Sequence, residues 1–174
     1  PFSGNVMHVQ YDRVSFDVAS GSSLKRILRD VSLSIEPGER VGVVGPSGAG
    51  KSQLVGLLTR PKDPSDGRVL INGVDLREYS METVKRHYGI VPQASTLFED
   101  TVLGNTHFGV SHLDLERLIS APGLDTRART ALVKAGHEDL SRTLERKLGY
   151  KGMRLSGGQQ QRLMAAQALF KEPL

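Results

Sequence analysis

Gly45, Pro46, Ser47, Gly48, Ala49, Gly50, Lys51 and Ser52 fit the pattern G-x-x-x-x-G-K-[ST], a spacing suited to holding phosphate oxygens. Glycines let the backbone curl so that successive N–H groups point inward at an anion, and a helix start adds favourable partial charge. Lys51 then brings a full positive charge to the outer phosphates, and the Ser52 hydroxyl is a hard oxygen ligand of the kind Mg²⁺ prefers. The apolar run Val41, Gly42, Val43, Val44 leads into the loop, and Leu54, Leu57 and Leu58 follow at helical spacing. The loop is therefore expected between a buried strand and a helix, a context that a glycine-rich turn beside a surface lysine does not need.

A second glycine-bearing motif, Leu155, Ser156, Gly157, Gly158 and Gln159, precedes a segment in which Leu163, Ala166 and Phe170 make one apolar face. Backbone N–H groups and a serine hydroxyl again stand at a helix start, so a second anion-binding end is expected there. A flexible Ser-Gly-Gly cap would look the same in isolation. Its occurrence with a full phosphate loop in one chain argues for the anion site.

The elements that must position these groups read as a mixed α/β core. The chain has 174 residues, enough for one domain or a domain with a small insertion. It has no cysteine, which excludes a disulfide scaffold, a thiol nucleophile and a cysteine metal site. No apolar run approaches the roughly 20 residues that cross a bilayer, and no signal-peptide pattern opens the chain. Pro1 stands first in place of a methionine, as expected of a segment cut from something longer. The net charge of +4 is spread along the sequence without interleaved aromatics, so a solvated mixed-charge surface is expected and no nucleic-acid partner. His8, His87, His107, His112 and His137 lie outside the motifs and are expected to be structural or exposed.

Alternation of apolar and polar residues over 6–18 and 31–35 predicts half-buried antiparallel strands, with a polar turn at 19–23. Pro37-Gly38 predicts the turn into the phosphate-loop strand, residues 63–67 a turn before a strand at 68–71, and Asn72-Gly73 a hairpin. Three short amphipathic helices are expected at Leu115, Leu118 and Ile119, at Leu132 and Val133, and at Leu140, Leu144 and Leu148. Gly123, Gly136 and Gly149 are the expected caps.

With these motifs in this order, residues 1–174 resemble the nucleotide-binding domain of an ATP-binding cassette (ABC) transporter. The resemblance implies an α/β fold, a P-loop NTPase of the ABC type. Such a cassette has a mixed β core, an antiparallel β subdomain and an inserted α-helical subdomain; its C-terminal part is missing from these residues. The core would occupy 1–106 with a mainly parallel sheet around the 41–44 strand, the helical subdomain 107–154, and the signature motif with its helix 155–174. ATP and Mg²⁺ are the implied cofactors. Residues 45–53, Gln53 included, would line the nucleotide. Gln93, in the family's Q-loop at 89–93, would join Ser52 at the metal and Lys51 in the chemistry, and would sense the membrane domain. Ser156, Gly157, Gly158 and Gln159 would grip the γ-phosphate of ATP held by a second nucleotide-binding domain, two such domains closing head to tail. A transmembrane domain is the other implied partner, which places the chain at the cytoplasmic face of a membrane. Leu97-Phe98, Thr101-Val102 and Asn105, with the loop at 149–152, resemble the exporter subtype.

The chain departs from the family pattern at four places. Val18 stands where an adenine-stacking aromatic is usual, Gln53 where a threonine is common, Tyr150 where a glutamate makes a cross-domain contact, and Gln167 where an arginine is usual. The family's metal-positioning aspartate and water-polarising glutamate would follow Leu174, so this segment is expected to bind ATP without hydrolysing it alone, and to be marginally stable by itself. Two alternatives share these motifs: a catalytically degenerate ATP-sensing module that dimerises without turnover, and a soluble ABC ATPase acting in DNA repair or translation.

Overall fold

A computed structural model describes residues 7–94, 97–108 and 123–171. The described residues up to Lys85 form one compact unit and those from Arg86 onward another.

The first unit is built on a hairpin of β1 (Val9–Ser20) and β2 (Ser23–Ile35), joined at Gly21, with β3 (Asp66–Ile71) and β4 (Val74–Asp75) completing a sheet of order β2-β1-β3-β4. Every pairing in it is antiparallel. Along β1 the buried apolar residues fall at Val9 and Tyr11, then at Val14 and Phe16, so the alternation changes parity once. A register shift between Tyr11 and Val14 explains this, because the extra residue of a bulge re-aims all that follow. Arg26 on β2 donates to both Asp17 carboxylate oxygens at 2.9 and 3.0 Å and to Asp66 at 2.8 Å, joining three strands at one edge. Its hydrogen bond holds the Asp17 carboxyl below the usual carboxylate range. Asn72 and Gly73 turn β3 into β4 with φ values of 51° and 78°, the two positive angles of the expected tight hairpin. Val6, at the start of the first predicted strand, lies outside the described residues.

The strand expected over residues 41–44 does not form. Val41, Val43 and Val44 are 48%, 41% and 91% exposed. A strand exists only as part of a hydrogen-bonded ladder, and among the described residues the four strands pair only with one another. The parallel sheet expected around this run is likewise absent among the described residues. The helix after the loop does form: α1 (Lys51–Gly56) runs into a 3-10 turn (Leu57–Thr59) whose Leu57 is buried. Further on, α2 (Met81–His87) buries Val84.

The second unit packs α3 (Val102–Thr106), α4 (Leu124–Lys134), α5 (Glu138–Ser141) and α6 (Gly157–Phe170) around Leu132, Leu148, Leu163, Met164 and Phe170. Helix α4 closes on Gly136, whose amide donates to the Val133 carbonyl at 2.9 Å while the His137 amide donates to Leu132 at 2.8 Å. Gly123 caps its other end. The helix expected through Leu140, Leu144 and Leu148 stops at Ser141. Leu144 and Leu148 are buried all the same, 3% and 0% exposed, but in a segment that pairs with the start of α3. The Val102 amide donates to the Arg146 carbonyl, the Leu103 amide to Leu144 and the Leu148 amide to Asp100, at 2.9 to 3.0 Å. Leucines four apart report burial, and here non-local pairing took the backbone groups that a helix would have used. The helix predicted at Leu115, Leu118 and Ile119 lies outside the described residues.

Candidate functional site: a phosphate loop and a glycine-bearing helix cap

Residues 45–49 are exposed and lead into α1 with Gly50 as its N-cap. No side chain caps this helix, so its first amides stay available to an anion, while within the loop the Ala49 amide donates to the Pro46 carbonyl at 3.3 Å. Lys51 folds back over the loop, its Nζ donating to the Gly45 carbonyl at 2.8 Å and the Pro46 carbonyl at 2.7 Å. Ser52 and Gln53 are exposed beside it. Gly50 cannot be replaced without strain. Its φ is 90°, and a Cβ there would lie 2.8 Å from Ile27 Cγ2 and 2.9 Å from Leu28 Cδ2. Ile27 and Leu28 thus seat the loop on β2, a role that no spacing in the sequence announced.

This cradle fits a nucleotide's phosphates: amides without side-chain competitors, one ammonium within reach and a hydroxyl at the next residue. Among the described residues no cluster of histidine, cysteine, aspartate or glutamate could hold a metal. Mg²⁺ usually binds largely through substrate phosphates and waters, and the Ser52 hydroxyl suits it.

In the second unit Ser156 is the N-cap of α6. Its Oγ accepts from the Gln159 amide at 3.4 Å while Gln159 Oε1 accepts from the Ser156 amide at 2.8 Å, a reciprocal capping box. The box satisfies Gln159 and leaves the amides of Gly157 and Gly158 at an exposed helix start with no intrahelical acceptor. Leu155, 6% exposed, anchors the motif in the core, and Gln160 Nε2 donates to the Gly152 and Leu155 carbonyls at 3.1 and 3.4 Å. Gln93 lies in an exposed bend of the same unit, following Ile90 and Val91, which are 57% and 50% exposed. The phosphate-loop residues thus cluster in one unit, and Ser156 to Gln159 cluster in the other.

The positions that departed from the family pattern are all described. Val18 is half-buried on β1, and Tyr150 is 59% exposed with Lys151 Nζ 5.3 Å from its ring centroid. Gln167, on α6, has a buried Nε2 with no hydrogen-bond partner among the described residues.

A glycine cradle closed by a lysine defines a P-loop nucleotide-binding protein, and the Ser-Gly-Gly-Gln cap on a separate helical unit narrows the class to a cassette-type NTPase domain. The chain belongs to the ABC transporter family, whose model matches residues 28–174. It is similar to the ATP-dependent lipid A-core flippase of Coxiella burnetii, 42% identical over 164 residues that make up 94% of this chain and 26% of that protein. The mitochondrial iron-sulfur clusters transporter ATM1 of Chaetomium globosum is 36% identical over 165 residues, 95% of this chain and 26% of that one. A bacterial Atm1-family ABC exporter solved with ATP bound matches with a TM-score of 0.79 and 34% identity, over 97% of this chain and 28% of that chain. The chain spans about a quarter of the length of these relatives. Its fold is that of an ABC nucleotide-binding domain, as the α/β reading expected, and membership of the family implies ATP binding. No helix among the described residues is long and apolar enough to cross a membrane.

Proposed function

We propose that residues 1–174 are the ATP-binding part of an exporter-type ABC protein, which couples ATP binding and hydrolysis to moving a substrate across a membrane. The observation that carries this reading is the uncapped phosphate loop with Lys51 already folded over it. The exporters among the relatives support the transport half of it.

In this reading the amides of Gly45, Ser47, Gly48 and Gly50 hold phosphate oxygens, and Lys51 exchanges its two carbonyl acceptors for the outer phosphates. Gln53 lines the α-phosphate side. Ser52 and Gln93 would hold Mg²⁺, which would supply positive charge to offset that of the phosphates. The open amides of Gly157 and Gly158, framed by Ser156 and Gln159, complete the site of a second nucleotide-binding domain that closes head to tail. A transmembrane domain is the other partner and sets the chain at the cytoplasmic face. Among these groups Lys51 and Gln93 would take part in the chemistry, and none of them is a general base for the attacking water.

Calorimetry of Mg-ATP binding to the full-length protein tests this. Lys51→Ala should lower affinity at least about tenfold, since it removes a charge-assisted contact to phosphate. Unchanged affinity in that variant would refute the phosphate-site reading.

A further inference from the structure

Helix α1 is six residues long and buries none of them. So short a helix is not stable by itself, and its place is set by what ties it to the sheet. At its N-cap the tie is the seat of Gly50 on Ile27 and Leu28. At its other end the Tyr11 hydroxyl on β1 donates to the Leu54 carbonyl at 2.8 Å, across 43 residues of sequence. Leu54 is among the last four residues of α1; the carbonyls of its neighbours Gln53 and Val55 accept from the Leu57 amide, and that of Leu54 accepts from Tyr11. Tyr11 is 3% exposed, so its ring is fixed by packing and its polar tip must find a partner where it stands.

We propose that Tyr11 is a positioning residue for nucleotide binding: its hydroxyl, through the Leu54 carbonyl, sets where α1 presents Lys51 and Ser52. This rests on the phosphate-site reading above. Phenylalanine at position 11 would keep the ring and remove the hydroxyl that makes the tie. The helix would then be held at one end, and its first two residues would no longer be preorganised for phosphate, a loss that small displacements make large.

The test compares full-length wild type, Tyr11→Phe and Lys51→Ala in three measurements: the calorimetric Kd for Mg-ATP, the steady-state KM and kcat for ATP, and the melting temperature without nucleotide. For Tyr11→Phe, Kd and KM should both rise about 3- to 10-fold, the range expected for losing one hydrogen bond, while kcat stays within about twofold. A merely structural tyrosine would instead lower the melting temperature and the active fraction, hence apparent kcat, with Kd and KM unchanged; that result overturns the proposal. Unchanged Kd in Tyr11→Phe alongside lost binding in Lys51→Ala would overturn the positioning role alone. Unchanged Kd in Lys51→Ala would overturn the phosphate site and the proposal with it.

Discussion

Gly152 lies against Leu97 so closely that a Cβ at position 152 would stand 2.8 Å from Leu97 Cδ1. Its φ of 70° adds a second demand for glycine, and Leu97 is a 4% exposed member of the helical unit's core. Gly152→Ala should therefore cost about 1–3 kcal/mol of stability through overpacking, plus about 1 kcal/mol for the left-handed backbone. Denaturant unfolding of the variant measures this, and a midpoint equal to that of wild type would count against it.

Gly50→Ala meets the same two obstacles at the phosphate loop, from Ile27 and Leu28. Here the displaced element is the one that carries Lys51, so the variant should lose Mg-ATP affinity by about tenfold or more, beyond any loss of stability. Calorimetry on protein shown to be folded by circular dichroism separates the two effects.

Removing the Ser156 hydroxyl opens one half of the capping box on α6. Ser156→Ala should destabilise by about 0.5–2 kcal/mol, the range for N-caps. Ser156→Asp, which keeps a capping oxygen, should recover most of that loss in the same unfolding assay, while adding a negative charge beside the open glycine amides.

His137 is 3% exposed with an Nε2 that has no hydrogen-bond partner among the described residues. Burial first, then the positive charge of Arg162, pushes its pKa below the usual 6.5. The folded protein thus keeps this imidazole neutral at pH values where the unfolded chain protonates it. Above about pH 6.5 the group does not affect stability; below it the unfolded state takes up the proton first, and stability falls until the lowered folded pKa is reached. Unfolding midpoints at pH 7.5 and 5.5 should therefore differ more for wild type than for His137→Gln. Equal differences in the two proteins would rule the residue out as the cause.

Local chemistry was legible where one or two residues decide the backbone. Asn72-Gly73 makes its expected hairpin and Gly136 its expected helix end, whereas at Ser156 the sequence reads as an anion site in preference to a cap, and the structure shows a capping box there. Illegible features were those that depend on a partner elsewhere in the chain. The apolar run 41–44 has the composition of a buried strand, but composition cannot supply a neighbour to pair with. Leu144 and Leu148 have helical spacing, and their backbone bonds instead to residues 100–103. The parity change between Tyr11 and Val14 depends on a bulge visible only in the register. At the site, the motifs located Lys51 and Ser52, whereas Tyr11, Ile27 and Leu28, which hold the loop from beneath, carry no local signal because their contacts are tertiary.

In the proposed phosphate site, the resting position of Lys51 would set an entry threshold for ligands. Two neutral carbonyl oxygens, of Gly45 and Pro46, already share its ammonium, so the loop holds its shape with its own charge as the filler. An incoming anion gains only the difference between its own pull and theirs. A weakly charged visitor gains little by the exchange, and a polyphosphate gains a great deal. The loop can thus discriminate by charge density before any contact with a base or sugar is made.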